Sequence, residues 1–127
     1  MNIIDSSGWL EFFADGPNAA LFSRPLQKAS ELIVPTITIY EVFKTVLRQR
    51  DESDALQAVA LMQQGSIVDV TASISILAAK ISIEHNMPMA DSIIVATGRV
   101  FEATIWTQDS DFEGIHGVQY IPKKPRG

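Results

Sequence analysis

Cysteine is absent from the 127 residues, and histidine occurs only twice, at His85 and His116. The first absence excludes a disulfide framework, a thiolate zinc site and a cysteine nucleophile, and it fits a reducing compartment such as the cytoplasm. The second leaves little material for a zinc site of any kind. Long apolar runs are missing as well. Every apolar stretch is broken by polar, glycine or proline residues well short of the ~18 that span a bilayer, so a soluble protein with no membrane partner is expected. The opening residues lack the basic start and extended apolar core of an export signal, and the chain is expected to be used as it is made. Basic charge is in deficit: 10 lysines and arginines face 15 acids, a formal charge of −5. That balance argues against a basic nucleic-acid coat or an anionic-membrane binder, but leaves open nucleic acid reached through a metal ion. What is present is 46% apolar residues at the size of one ordinary domain, enough to bury a core.

Short apolar runs alternate with helical patterns, which is the signature of a parallel sheet covered by helices on both faces. Asn2–Ile4, Glu31–Val34, Ile67–Val70, Ala103–Trp106 and Val118–Ile121 read as strands. Between them, Trp9, Phe12 and Phe13 mark one face of a helix that Gly16-Pro17 ends, and a less regular helical stretch runs to about Lys28. A helix starting at Pro35-Thr36 carries Ile39, Phe43, Val46 and Leu47. Another from Ser53 carries Leu56, Val59 and Met62. Thr71 is a cap for a helix whose buried stripe is Ile74, Leu77, Ala78 and Ile81, ended by His85-Asn86. After Pro88, Asp91–Phe101 reads as a helix apolar on nearly every side. The basic tail Lys123-Lys124-Pro125-Arg126-Gly127 looks loose.

In an open α/β sheet the working crevice lies outside the carboxyl ends of the strands. Four such places carry acid: Asp5 after the first strand, Glu41 one turn into the helix after the second, Asp91 before the fourth, and Asp109 with Asp111 after it. These five carboxylates equal the whole formal surplus of −5, so the acidity can be local to one site. Each also has a plain structural explanation. Asp5 can cap the Trp9 helix, Asp109 and Asp111 can form turns, and Glu41 shares a face with Lys44 for an i, i+3 ion pair. Asp91 resists such an account. It opens an interior helix, where a favourable dipole contributes only ~0.3–1 kcal/mol against a cost of several for a buried unpaired carboxylate. Arg99 is two turns away and mostly on another face, so a bound cation is the natural partner. A cluster of hard oxygen ligands without cysteine or histidine suits magnesium or manganese. Ser6, Ser7, Ser92 and Thr107, each near an acid, are candidates to orient water or phosphate oxygens, with helix capping as the equal alternative.

The set Ile3-Ile4-Asp5-Ser6-Ser7, Glu41, Ala90-Asp91-Ser92-Ile93-Ile94-Val95-Ala96 and Thr107-Gln108-Asp109-Ser110-Asp111-Phe112 resembles the PIN-domain ribonucleases, and within them the VapC-type toxins of toxin–antitoxin pairs. The resemblance covers the whole chain and implies a three-layer fold over residues 1–127, a small parallel sheet of four to five strands with helices on both faces. It implies an Mg2+- or Mn2+-dependent endoribonuclease with Asp5, Glu41, Asp91 and Asp109 as the catalytic carboxylates. Asp5, Asp91 and Asp109 would be metal ligands, with Asp111, Ser6 and Thr107 in support. It further implies a homodimer inhibited by a small VapB-type antitoxin. Trp9, Phe12 and Phe13 follow Asp5 closely, and any part of that stripe left exposed would offer the partner an apolar anchor, although packing into the core is its commoner fate.

Other small doubly wound proteins fit less well. A phosphoacceptor receiver domain wants an acidic pair after the first strand, an aspartate ending the third and a lysine ending the last. Here serines follow Asp5, Asp69 lies inside the third run, and Lys123 comes only after Pro122. A haloacid-dehalogenase-like phosphatase wants a second aspartate where Ser7 stands. A PIN fold serving only as an inactive binding module would have no reason to keep five acids.

Overall fold

Five short strands and six helices alternate along residues 1–126, the part of the chain that the computed structural model describes. Gly127, at the end of the tail, lies outside the described residues. Strand β1 (Asn2–Ile4) leads into α1 (Ser6–Phe13) and α2 (Ala19–Leu26); β2 (Ile33–Pro35) into α3 (Thr36–Gln49) and α4 (Glu52–Met62); β3 (Ser66–Val68) into α5 (Ala72–His85) and α6 (Met89–Val100). Strands β4 (Thr104–Thr107) and β5 (Val118–Tyr120) complete the set. No helix among the described residues is long and apolar enough to cross a membrane.

All the strand pairs are parallel: β1 with β4, β4 with β5, and β2 with β3. A single bridge between Asn2 and Leu32 joins the two groups, giving the spatial order β3-β2-β1-β4-β5. The chain therefore winds outward from β1 to β3 and returns to β4 on the other side of β1. That reversal opens a crevice at the carboxyl ends of β1 and β4, the place where such sheets bind ligands.

The pleat sends successive side chains to opposite faces, and β1 shows it within two residues. Ile3 joins Ile33 and Ile105 under α5 and α6, with Ile74, Ala78, Ile81, Ile94 and Val95. Ile4 joins Leu32 and Val34 on the other face under the first four helices, with Trp9, Phe22, Val42, Ala55, Ala58 and Met62. The result is the three-layer α/β architecture that the alternating pattern predicts. Trp106 adds a cross-strand tie, its Nε1 donating to Asn2 Oδ1 at 3.0 Å.

Local signals account for most helix ends. Thr71 Oγ1 accepts from Ile74 N at 3.1 Å, and Asn86 takes the left-handed conformation (φ 52°) that stops α5. Asp51 Oδ1 accepts from Asp54 N at 2.8 Å, which starts α4 at Glu52, just ahead of the expected Ser53. Pro88 starts α6 at Met89, so Asp91 lies within its first turn rather than at its first position.

Four expectations change. Glu31 closes a 3-10 turn (Ala29–Glu31) instead of opening the second strand, which runs Ile33–Pro35. The stripe Leu56, Val59, Met62 is not the buried face of α4: Ala55, Ala58 and Met62 are, while Leu56 is 54% exposed. Short alanine side chains let α4 lie close against α3, and contact area outweighs the bulk of Leu56. The third strand stops at Val68, with Ile67 and Val70 exposed, because β3 is a sheet edge with one open side. The aromatic stripe splits. Trp9 is wholly buried, its ring stacked on Phe13 with centroids 5.7 Å apart and its Nε1 without a hydrogen-bond partner, while Phe12 and Phe13 are half-buried.

Gly8 holds α1 against the sheet. A β-carbon there would lie 2.7 Å from Ile4 Cγ2 and 2.8 Å from Phe22 Cδ1, too close without a shift of packed core groups. Gly8→Ala is expected to lower stability by about 1–3 kcal/mol, read as an earlier urea midpoint; an unchanged midpoint would show that α1 can slide.

Candidate active site

Asp5 ends β1 and caps α1. Its Oδ1 accepts from Ser7 Oγ at 2.7 Å and from Gly8 N at 3.1 Å. The plain reading of Asp5 as a cap is thus correct, and it coexists with a place among the other acids. The side chain is 1% exposed. Burial pushes its pKa up to about 6; hydrogen bonds from Ser7, Gly8 and Thr107 oppose the rise, and the charge of Asp109 adds to it.

Glu41, on α3, is half-buried and does not make the expected pair with Lys44. Lys44 Nζ lies 3.4 Å from Tyr40 Oη and 5.5 Å from the centre of that ring. Glu41 Oε1 is buried without a hydrogen-bond partner. Burial raises its pKa, Ser6 lowers it, and Asp109 raises it again. Asp91, half-buried in the first turn of α6, is pushed up to about 7, first by burial and then by the charges of Asp109, Glu41, Asp5 and Asp111. The other four expected acids therefore all act on Asp91, and Asp109 acts on Asp5, Glu41 and Asp91 alike.

The chain after β4 delivers the remaining two acids. Asp109 Oδ1 accepts from Asp111 N at 2.9 Å, capping the short 3-10 turn Ser110–Phe112. Asp91, Asp109 and Asp111 each offer a carboxylate oxygen within 4.8 Å of those of the other two. Asp5 stands outside this trio, although the resemblance implies it as a ligand with Asp91 and Asp109; Asp111, expected only in support, stands inside it.

A hydroxyl network fixes these strand ends. Ser7 Oγ, besides donating to Asp5, accepts from Gln108 N at 3.1 Å and lies 3.3 Å from Thr107 Oγ1, which accepts from Asp109 N at 2.9 Å. Thr107 is fully buried at the centre of this network. Ser92 neither caps nor faces the acids through its hydroxyl, which donates back to Met89 O at 2.7 Å within α6. Sequence reasoning passed over two buried residues, Asn18 and Gln108. Asn18 Nδ2 donates to Gln108 Oε1 at 3.1 Å and to Pro122 O at 3.0 Å. The only sequence signal for Asn18 is its place after the Gly16-Pro17 break.

No lysine, arginine or histidine forms an ion pair with any of the five acids among the described residues. Arg99 lines a cavity of about 320 Å³ with His116 and Thr104, at the opposite end of β4. The fit to a divalent cation rests on this unneutralised charge, the all-oxygen donor set and the orphaned Glu41 Oε1.

The family model of the PIN domain matches residues 3–117. No curated protein matches the sequence. Among solved structures, a chain of a toxin–antitoxin complex from Klebsiella pneumoniae superposes with a TM-score of 0.78 at 20% identity, over 95% of this chain and 100% of its own. The Mycobacterium tuberculosis toxin VapC20, described as cleaving the sarcin–ricin loop, gives 0.78 at 16% identity over 98% and 100%. A chain of VapBC2 from Rickettsia felis, bound to a promoter DNA fragment, gives 0.74 at 13% over 95% and 97%. At such identities the likeness is one of fold.

The raised pKa values of Asp5 (about 6) and Asp91 (about 7) belong to the folded state, which thus holds more protons than the unfolded chain between their ordinary value of 3.8 and these values. Stability in chelator should fall as pH climbs through that window and level off above it. Asp91→Asn is expected to raise the melting temperature above pH ~7 by a few degrees and to flatten the pH dependence; an equal or lower melting temperature would show that the acids do not repel one another.

Proposed function

The chain belongs to the PIN-domain family, and from that premise we propose that it is an Mg2+- or Mn2+-dependent endoribonuclease acting as a growth-inhibiting toxin. The observation that carries this reading is the set of acids at the sheet's carboxyl edge with no basic partner. Asp91, Asp109 and Asp111, with Asp5 beside them, would hold the ion. When bound, such an ion lowers the pKa of a water and offsets charge on the phosphodiester.

The protein's own groups supply the rest. Glu41, with a raised pKa and a buried oxygen free of donors, accepts the proton released as water attacks phosphorus. As the new P–O bond forms, the ester P–O bond breaks and the departing oxygen takes up a proton from solvent, to which Glu41 then returns its own. Ser7 and Thr107 keep Asp5 and Asp109 in place against their repulsion, and Ser6 steadies Glu41.

The names of the fold's neighbours support the toxin role and an antitoxin partner. A groove of about 610 Å³ between α1, α3 and α4, with an apolar floor of Leu10, Phe13, Val46 and Leu61 and a polar rim of Gln49, Arg50, Asp54 and Gln57, suits such a partner. Its aromatic anchor is Phe13, since Trp9 is out of reach. Ile76 and Ile83, 61% and 86% exposed and two turns apart on α5, support a homodimer. We read residues 1–127 as one domain acting on RNA in the cytoplasm.

The purified chain should cut RNA with added Mg2+ or Mn2+ and stop on chelation. Asp5→Asn, Glu41→Gln and Asp91→Asn should each slow cleavage about 100-fold or more with the circular dichroism spectrum unchanged, the size expected for loss of a group acting in the transition state. Full activity in any one of them would break the site assignment, and cleavage in chelator would break the metal dependence. Asp111→Asn should raise the metal concentration needed for half-maximal rate; no change would return Asp111 to a purely structural turn.

A further inference from the structure

The tail holds three of the ten basic residues of an acidic chain, Lys123, Lys124 and Arg126, and the catalytic reading leaves them unused. The chain that leads into this segment is fixed, and within the segment Arg126 is held by one side-chain hydrogen bond. Ile121 N donates to Thr107 O at 2.8 Å, Asn18 Nδ2 holds Pro122 O at 3.0 Å, and Arg126 Nη2 donates to Ala14 O at 3.2 Å, at the end of α1. Asn18 is fully buried and spends its amide group on joining Pro122 to Gln108. Lys123 comes one residue after Pro122, and Asp109 one residue after Gln108. Because β5 runs parallel to β4, the tail leaves the sheet at the same edge as the acids. Lys123 and Lys124 are exposed, and neither is in an ion pair with a carboxylate among the described residues.

A polyanion approaching a cluster of carboxylates meets repulsion, and free charges are screened beyond roughly 8 Å at physiological ionic strength. Cations that offset this repulsion must therefore sit beside the site, and the tail is tethered there. We propose that Lys123 and Lys124 form a phosphate-binding lip that holds the backbone of single-stranded RNA next to the carboxylate cluster, with Asn18 as the positioning residue that seats it. The lip deepens the ribonuclease reading and rests on it.

The test measures binding of a labelled single-stranded RNA oligonucleotide across a KCl series, by anisotropy, with the uncleaving Asp91→Asn chain as parent. Adding Lys123→Gln and Lys124→Gln is expected to weaken binding about tenfold. It should also reduce the slope of log Kd against log salt by roughly 1 to 1.5, the loss of two phosphate contacts at about 0.7 each. In the cleaving chain the same pair should raise KM about tenfold while kcat falls less than twofold. Asn18→Ala, with every lysine kept, should move Kd and slope the same way. If that variant does not fold, a chain ending at Pro122 should reproduce the effect. Lys28→Gln with Lys80→Gln removes equal charge elsewhere and serves as control. A tail variant with the control's Kd and slope overturns the lip while leaving the nuclease intact. So does a tail variant that loses affinity only for a protein partner, which would assign the tail to an acidic segment of that partner. A parent that neither binds nor, with Asp91 restored, cuts RNA overturns both readings.

Discussion

Ser7 is the small group on which the carboxyl edge depends. One hydroxyl donates to Asp5, accepts from the backbone of Gln108 and meets Thr107. It thereby ties the end of β1 to the end of β4 where two strands bring like charges together. Carboxylates left in low dielectric without partners separate or take up protons. Here neutral donors stand in for absent cations, enough to hold Asp5 but not to return its pKa to the ordinary range. The acids stay close because the backbone and these hydroxyls leave them no other place, and the resulting strain is what a divalent ion would relieve.

The sheet makes this possible through its winding. With β1 at the centre of β3-β2-β1-β4-β5 and joined to the β2 side by a single bridge, the loops after β1 and β4 diverge to opposite faces and leave a gap. Helix α3 enters from one layer with Glu41 and α6 from the other with Asp91. Four separate elements thus contribute to one cluster. No local segment of the chain could assemble it alone, and repacking either layer would be felt at the site.

The architecture was legible because alternation of short apolar runs with helical periods is a strong signal, and the acids were legible because they fall where such sheets bind ligands. Side-chain pairing was less so. Asp5 looked like a cap and is one, yet the same carboxylate is coupled to Asp91 and Asp109, so the two readings were never exclusive. Glu41 had Lys44 one turn away, but that lysine turns to Tyr40. The grouping of Asp111 with Asp91 and Asp109 depends on how a 3-10 turn points its side chains, which spacing cannot give. The bond between Asn18 and Gln108 was invisible, since amides that join loops distant in sequence leave no periodic trace. In α4 periodicity favoured the larger residues and packing favoured the smaller ones.

The two tryptophans report on one helical layer from different depths. Trp9, sealed among apolar groups with an indole N–H that meets no acceptor, sits in an environment that shifts emission to the blue, and it reports whether the layer of the first four helices is closed. Trp106 stands one residue before Thr107, bonded to Asn2 across the central strand pair, and its emission follows the junction of β1 and β4. Intrinsic fluorescence therefore follows closure of that layer together with the tie between β1 and β4, since both rings pack on the same cluster, without any label added to the chain.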